Sequence, residues 1–151
     1  MKTQELILAQ TDKRILQLAK IAEEKPPTGW IYAIRMSLGM SMRQLGKIAK
    51  ITPQGVMDIE SREKDGNVTI AALEHLGKDL NMKFIYGFVP SEGSLQKKID
   101  MQALATAKKI VMRTSYNMAL EDQKVNPAML KKSIIAKAQE IKQKNLKTLW
   151  E

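Results

Sequence analysis

Between residues 28 and 80 the chain alternates short apolar-periodic runs with residues that start or stop helices. Thr28, Ser41, Thr52 and Thr69 stand where N-cap side chains belong, and Gly39 and Asp65-Gly66 stand where helices end. Pro53 follows Thr52 at a first helical position, where its missing N–H costs nothing. The segments between these marks predict four short helices. Residues 29–38 place Trp30, Ile31, Ile34 and Leu38 on one side, and 42–49 turn Leu45 and Ile48 inward. Residues 53–62 bury Val56 and Ile59, and 70–80 bury Leu73, Leu76 and Leu80. The break between the second and third is too short for any geometry but a tight turn between packed helices.

Outside this stretch the periods differ. Residues 3–24 read as a helix, with Leu8, Ile15, Leu18 and Ala22 at helical spacing and Pro26-Pro27 as its stop. Residues 83–89, KFIYGFV, are aromatic and β-branched and end at Pro90, which predicts one strand. A lone strand leaves its backbone groups unpaired, so the expected partner is the same strand of a second copy, with Phe84, Ile85, Tyr86 and Phe88 at the contact. After a linker at 91–94, residues 95–121 and 127–149 predict an antiparallel helical hairpin, the second helix capped by Asn126 with Pro127 next. The expected fold class is therefore all-α with one dimerising strand. Its parts are an N-terminal helix (1–27), a four-helix domain (28–80), a strand and linker (81–93) and a C-terminal hairpin (94–151).

The 151 residues include no cysteine and one histidine, His75. Disulfides, thiolate zinc sites, cysteine nucleophiles and histidine-based triads or metal clusters thus fall away, and a reducing cytosol fits. No cofactor or metal is expected. No apolar run approaches a membrane span, and MKTQELILAQTDKR lacks a signal-peptide layout, so the expectation is a cytoplasmic protein with no membrane partner. The net charge of +9 is uneven: residues 28–80 carry 7 bases and 6 acids, whereas 94–151 carry 12 and 5. Such a basic excess suits polyanion partners. The C-terminal lysines read as a solvated helix face that could touch DNA flanks or an acidic partner.

Two short helices joined by a tight break form the arrangement of a helix-turn-helix, whose later helix enters the major groove with its N-terminal residues at base edges. Gln54 then sits at the tip, able to pair with adenine, and Asp58 one turn on could accept from a cytosine amino group. Gly55 would let the backbone approach the DNA. Ser41 and Thr52 mark helix N-termini, which bind phosphate through free N–H groups, and Arg43, Arg62 and Lys64 would neutralise phosphates. Met42, Pro53 and Met57 complete the DNA-facing set.

At these residues the chain resembles a known family. LGMSMRQLGKIAKITPQGVMDIE is similar to the Xre/Cro-type helix-turn-helix of phage repressors and many antitoxins, over roughly residues 29–80. PPTGWIYAIRMSLGMSMRQL, followed by NMKFIYGFVP, resembles the bacterial "mobile mystery protein A" group, whose members are usually encoded beside a Fic/Doc-domain protein. The resemblance implies a lambda-repressor-like domain, a homodimer, a double-stranded operator and a toxin-like Fic/Doc partner. By position it implies a structural ion pair between Arg35 and Glu60, and DNA-facing roles for Thr52, Gln54, Gly55 and Asp58. The chain departs from the pattern at Lys50, where the turn usually has glycine, at Gly46, where alanine is usual, and at Pro53, which replaces a frequently polar contact residue. It also lacks the inhibitory Ser/Thr-x-x-x-Glu-Gly/Asn helix of Fic relatives: Glu92-Gly93 has Phe88 at the hydroxyl position.

The expected function is a DNA-binding transcriptional regulator, an autorepressing, antitoxin-like protein acting as a dimer. One rival is an interaction module that holds a Fic/Doc-type toxin through the hairpin. An enzyme is the other, resting on Glu60 and Glu63 as an acid/base pair without a nucleophile, metal cluster or phosphate loop, and the expectation is that the chain is not one.

Overall fold

The computed structural model describes residues 2–22, 24–121 and 126–151. Among them are seven α-helices and one 3-10 helix, and no strand. The helices are α1 (Lys2–Ala19), α2 (Trp30–Ser37), α3 (Met42–Ala49), α4 (Pro53–Asp65), α5 (Ile70–Asp79), α6 (Leu95–Leu120) and α7 (Pro127–Lys144), with the 3-10 helix at Leu146–Trp150. Glu23, at the expected end of the first helix, and residues 122–125, the expected hairpin connection, lie outside the described residues.

The chain divides into two compact units, Ala22–Gly87 and a discontinuous one formed by Met1–Ile21 with Phe88–Glu151. The first unit holds α2–α5. Its core is Ile31, Leu45, Ala49, Val56 and Leu76, with Ile51, Ile59, Leu73 and Leu80 packed around them. Removing the side chains of Leu45 and Val56 from water contributes about 1.5–3 kcal/mol each. Three positions expected inward face water instead: Trp30 is 52% exposed, and Leu38 and Ile48 are also on the surface. In α3 the buried face is Leu45, Gly46 and Ala49, one position round from the expected one.

Three of the four expected N-caps in this unit form. Ser41 closes a capping box with Gln44, and the Thr52 and Thr69 hydroxyls accept from the amides of Gly55 and Ala72. Thr28 does not cap α2. The N-cap is Gly29, at φ 85°, with no side chain to offer. A carboxylate from α4 substitutes: Trp30 N donates to Glu63 Oε1 (2.8 Å) and Ile31 N to Glu63 Oε2 (2.9 Å). A Cβ at position 29 would stand 3.0 Å from that carboxylate oxygen, so glycine serves both the left-handed backbone and the fit.

The second unit holds α1, α6, α7 and the 3-10 helix around Ala103, Ala107, Ala138 and Leu149. Small residues at the seam let α6 and α7 pack closely. The expected second hairpin helix stops at Lys144, five residues early. Asn145 ends it in extended backbone and caps the 3-10 turn that follows, which folds Leu149 into the core. The N-terminal helix also ends early, at Ala19 and not 24. It is no separate element: buried Asp12 accepts from Leu95 N (2.8 Å) and Gln96 N (3.1 Å), capping α6 from a distance.

The strand expected at 83–89 is absent from the single chain. The segment has no ladder partner among the described residues. Its side chains are outward, with Ile85 59%, Tyr86 62% and Phe88 89% exposed; Phe84, half-buried, stacks on Tyr86.

Candidate nucleic-acid interface

The outward face of α4 is set by what its inner face must do. Val56, Ile59, Glu60 and Glu63 point into the first unit, so Gln54, Met57, Asp58 and Ser61 share the opposite side, and all four are exposed. The helix is joined to α3 by residues 50–52 only. Lys50 carries the turn at φ 56°, a left-handed conformation that a glycine would adopt at lower cost.

Gly46 is required by this close junction. A Cβ there would lie 2.7 Å from the Ile51 carbonyl oxygen, so an alanine does not fit. Gly55 has a different reason from the one expected. Its Cβ would point at Thr52 Oγ1 (3.3 Å) and Ile51 Cβ (3.5 Å), toward the cap and the turn. The glycine relieves the inside of the turn; it does not clear a path for a ligand outside.

The N-terminus of α4 is also a weaker anion site than the sequence suggested. Pro53 has no N–H and Gly55 N is taken by Thr52 Oγ1 at 3.0 Å, so in the first turn only Gln54 keeps an unengaged amide. At α3 the Ser41 amide donates to Gln44 Oε1 (2.8 Å) and the Gln44 amide to Ser41 Oγ (3.2 Å). That leaves Met42 N and Arg43 N beside the exposed Arg43 side chain, a better place for a phosphate. Met42 itself packs half-buried against the core and is a structural residue. Arg62 pairs with Asp58 across one turn at 3.2 Å, both exposed. This pair competes with either residue reaching a base or a phosphate. Lys64 is exposed in the last turn of α4, where a cation also complements the helix dipole.

Behind this face lies a rigid brace. Arg35 Nε donates to Glu60 Oε1 (2.6 Å) and Nη2 to Glu60 Oε2 (3.1 Å), with side chains 6% and 7% exposed. Arg35 Nη1 donates to the Met40 carbonyl (2.9 Å), and the guanidinium lies over the Tyr32 ring. One side chain thus fixes α2, α4 and the loop into α3. The hydrogen bonds that Arg35 donates to Glu60 push the Arg35 pKa up against the opposing effect of burial. Breaking one side of such a pair costs about 3–5 kcal/mol. Glu60 and Glu63 are therefore both engaged in the fold, and no group of three or more His, Cys, Asp or Glu side chains converges among the described residues.

No family model, curated protein or solved structure matches the chain. Among the described residues no helix is long and apolar enough to cross a membrane.

The two carboxylate caps escaped the sequence reading, yet each left a signal. Asp12 falls within the apolar stripe of Leu8 and Ile15, where a charge needs a partner. Glu63 lies one turn after Glu60 on the buried face of α4.

Proposed function

We propose that the chain is a sequence-specific double-stranded DNA-binding regulator that reads the major groove with the first turns of α4. The observation that carries this reading is the exposed Gln54–Met57–Asp58–Ser61 face on a helix braced from behind by the Arg35–Glu60 pair. A reading helix must hold its side chains in fixed register against base edges, and a buried bidentate pair supplies that rigidity. Gln54 is the principal base-reading residue, with Asp58 next to it. Arg43 and the free amides of α3 hold a phosphate, and Thr52, Pro53 and Ser41 shape the helix starts. The resemblance to Xre/Cro-type regulators and the mobile mystery protein A group extends the proposal to an autorepressing, antitoxin-like member of a bacterial operon, with a lambda-repressor-like domain at 28–80.

The proposal includes a homodimer. Residues 84–88 present unpaired backbone and exposed Ile85, Tyr86 and Phe88, and the same segment of a second copy satisfies both as an added strand.

The test is fluorescence anisotropy on DNA from upstream of the protein's own gene against scrambled DNA, at low and physiological salt. A preference surviving at physiological salt supports the reading. Weak binding to both, lost with salt, overturns it.

A second reading has its own observation. At the far end of the hairpin a groove is lined by Ile110, Val111, Met118, Met129 and Leu130, with Thr114, Ser115, Asn126, Ser133 and Lys137 as its polar lining and Met129 66% exposed. Exposed, adaptable methionines such as Met118 and Met129 suit protein partners, and a Fic/Doc-type toxin is the one the resemblance implies. Met129→Glu should abolish capture of that neighbouring gene product and leave operator binding intact; unchanged capture removes the groove from consideration.

A further inference from the structure

The outward face of α6 carries five cations and no acid. At about 100° per residue, Lys97 and Lys108 fall in one row, and Lys98, Lys109 and Arg113 in a second, roughly 100° round the helix. Between the rows lie uncharged Met101, Ala105 and Met112, and all these residues are exposed. None of the five cations enters a salt bridge among the described residues, whereas other hairpin lysines do: Lys142 holds Asp100, and Lys137 and Lys144 hold Glu140. Asp100 and Glu140 are thus matched by cations off this face, and the α6 face keeps five cations without a salt-bridge partner among the described residues over about 24 Å from Lys97 to Arg113.

We propose that this face is a second, sequence-independent contact with duplex DNA, its two rows engaging phosphates of the two strands that border a groove. The inference rests on the reading of the chain as a DNA-binding protein and names a further surface of that activity. The fit is one of charge and dimension. An α-helix is about 10–12 Å across with its side chains, and the major groove is about 12 Å wide. Cations on both flanks of such a helix meet both backbones. The strip between them has no hydrogen-bonding side chain, so it faces the groove floor without reading it. A membrane surface matches less well. The strip is narrow, with Met101 and Met112 its only large apolar side chains and Ala105 adding a single methyl group, where an interfacial helix needs a broad apolar face.

The test uses the full-length chain. Lys108→Gln, Lys109→Gln and Arg113→Gln are combined in one variant, all on exposed helical positions, and circular dichroism checks that the fold is kept. A control variant removes the same charge from α7 and the tail, by Lys131→Gln, Lys132→Gln and Lys147→Gln. Binding to the upstream DNA and to an unrelated duplex is followed between roughly 50 and 200 mM salt. The expected result is a log–log salt slope shallower by about 2–3 on both duplexes for the α6 variant, with the control close to the original chain. An unchanged slope overturns the proposal, and so does an equal effect of the control. Loss of binding to phosphatidylserine vesicles with duplex binding intact also overturns it. The preference for upstream DNA reports separately on α4. If the original chain shows no preference but the α6 variant flattens the slope, the α4 reading fails and the α6 contact stands. If the preference is present and the slope does not change, the reverse holds.

Discussion

Single residues decide what the α3–α4 junction can be. Gly46 stands against the Ile51 carbonyl with no room for a methyl group, so Gly46→Ala forces the turn open despite the better helix propensity of alanine. Overpacking of this kind costs about 1–3 kcal/mol, and thermal or urea unfolding of the variant should show a loss of that size. A gain in stability would mean that the junction is looser than its 2.7 Å approach implies. Gln54 makes the opposite kind of demand, since it is exposed and supports nothing. Gln54→Ala should leave stability unchanged, weaken binding to upstream DNA by about 1–3 kcal/mol, and barely affect binding to random DNA. Equal losses on both would strip Gln54 of a reading role.

At the level of elements, the sequence showed what is local and concealed what is remote. The Ser41, Thr52, Thr69 and Asn126 caps were legible because an N-cap and its target amide lie two or three residues apart. The carboxylates of Glu63 and Asp12 that cap α2 and α6 were not, because they come from 32–33 and 83–84 residues away. Residues 83–89 have the composition of a strand, but composition supplies no ladder partner, and the described residues give none. The buried Arg35–Glu60 pair was legible only through the resemblance, since neither residue stands out by period or spacing.

Asp12→Ala should remove two amide acceptors from the start of α6 and cost about 1–2 kcal/mol, measured as faster amide hydrogen exchange in the first turn of that helix. Normal protection there would mean that Ser94, the local cap, suffices. In α7, Glu140 sits between Lys144 and Lys137, whose hydrogen bonds and charges pull its carboxyl down to about 2. A carboxyl lowered on folding stabilises the fold above its ordinary value and loses that contribution as pH falls through its folded one. An NMR titration should therefore place its midpoint well below that of an ordinary glutamate, and high salt should move it back, since the site is exposed. A midpoint at the ordinary value in low salt would show that the two lysines are not held in place.

For the molecule as a whole, the open question of assembly has a direct measurement. Sedimentation at micromolar concentration should show a dimer, and Tyr86→Asp with Phe88→Asp, both on exposed positions, should return it to a monomer without unfolding it. A monomer for the original chain would assign the exposed aromatics to another partner. The discontinuous unit also imposes an order on how the protein is made. Asp12 and the Leu95 amide it caps are 83 residues apart, with the whole of Ala22–Gly87 between them. At roughly 5–20 residues per second of synthesis, α1 leaves the ribosome some 4–17 seconds before its docking site exists. Ala22–Gly87 can close during that interval from contiguous chain. The first helix to be born is among the last to find its place, and through that delay its Leu8 and Ile15 stripe is open to whatever nascent-chain binders the cell supplies.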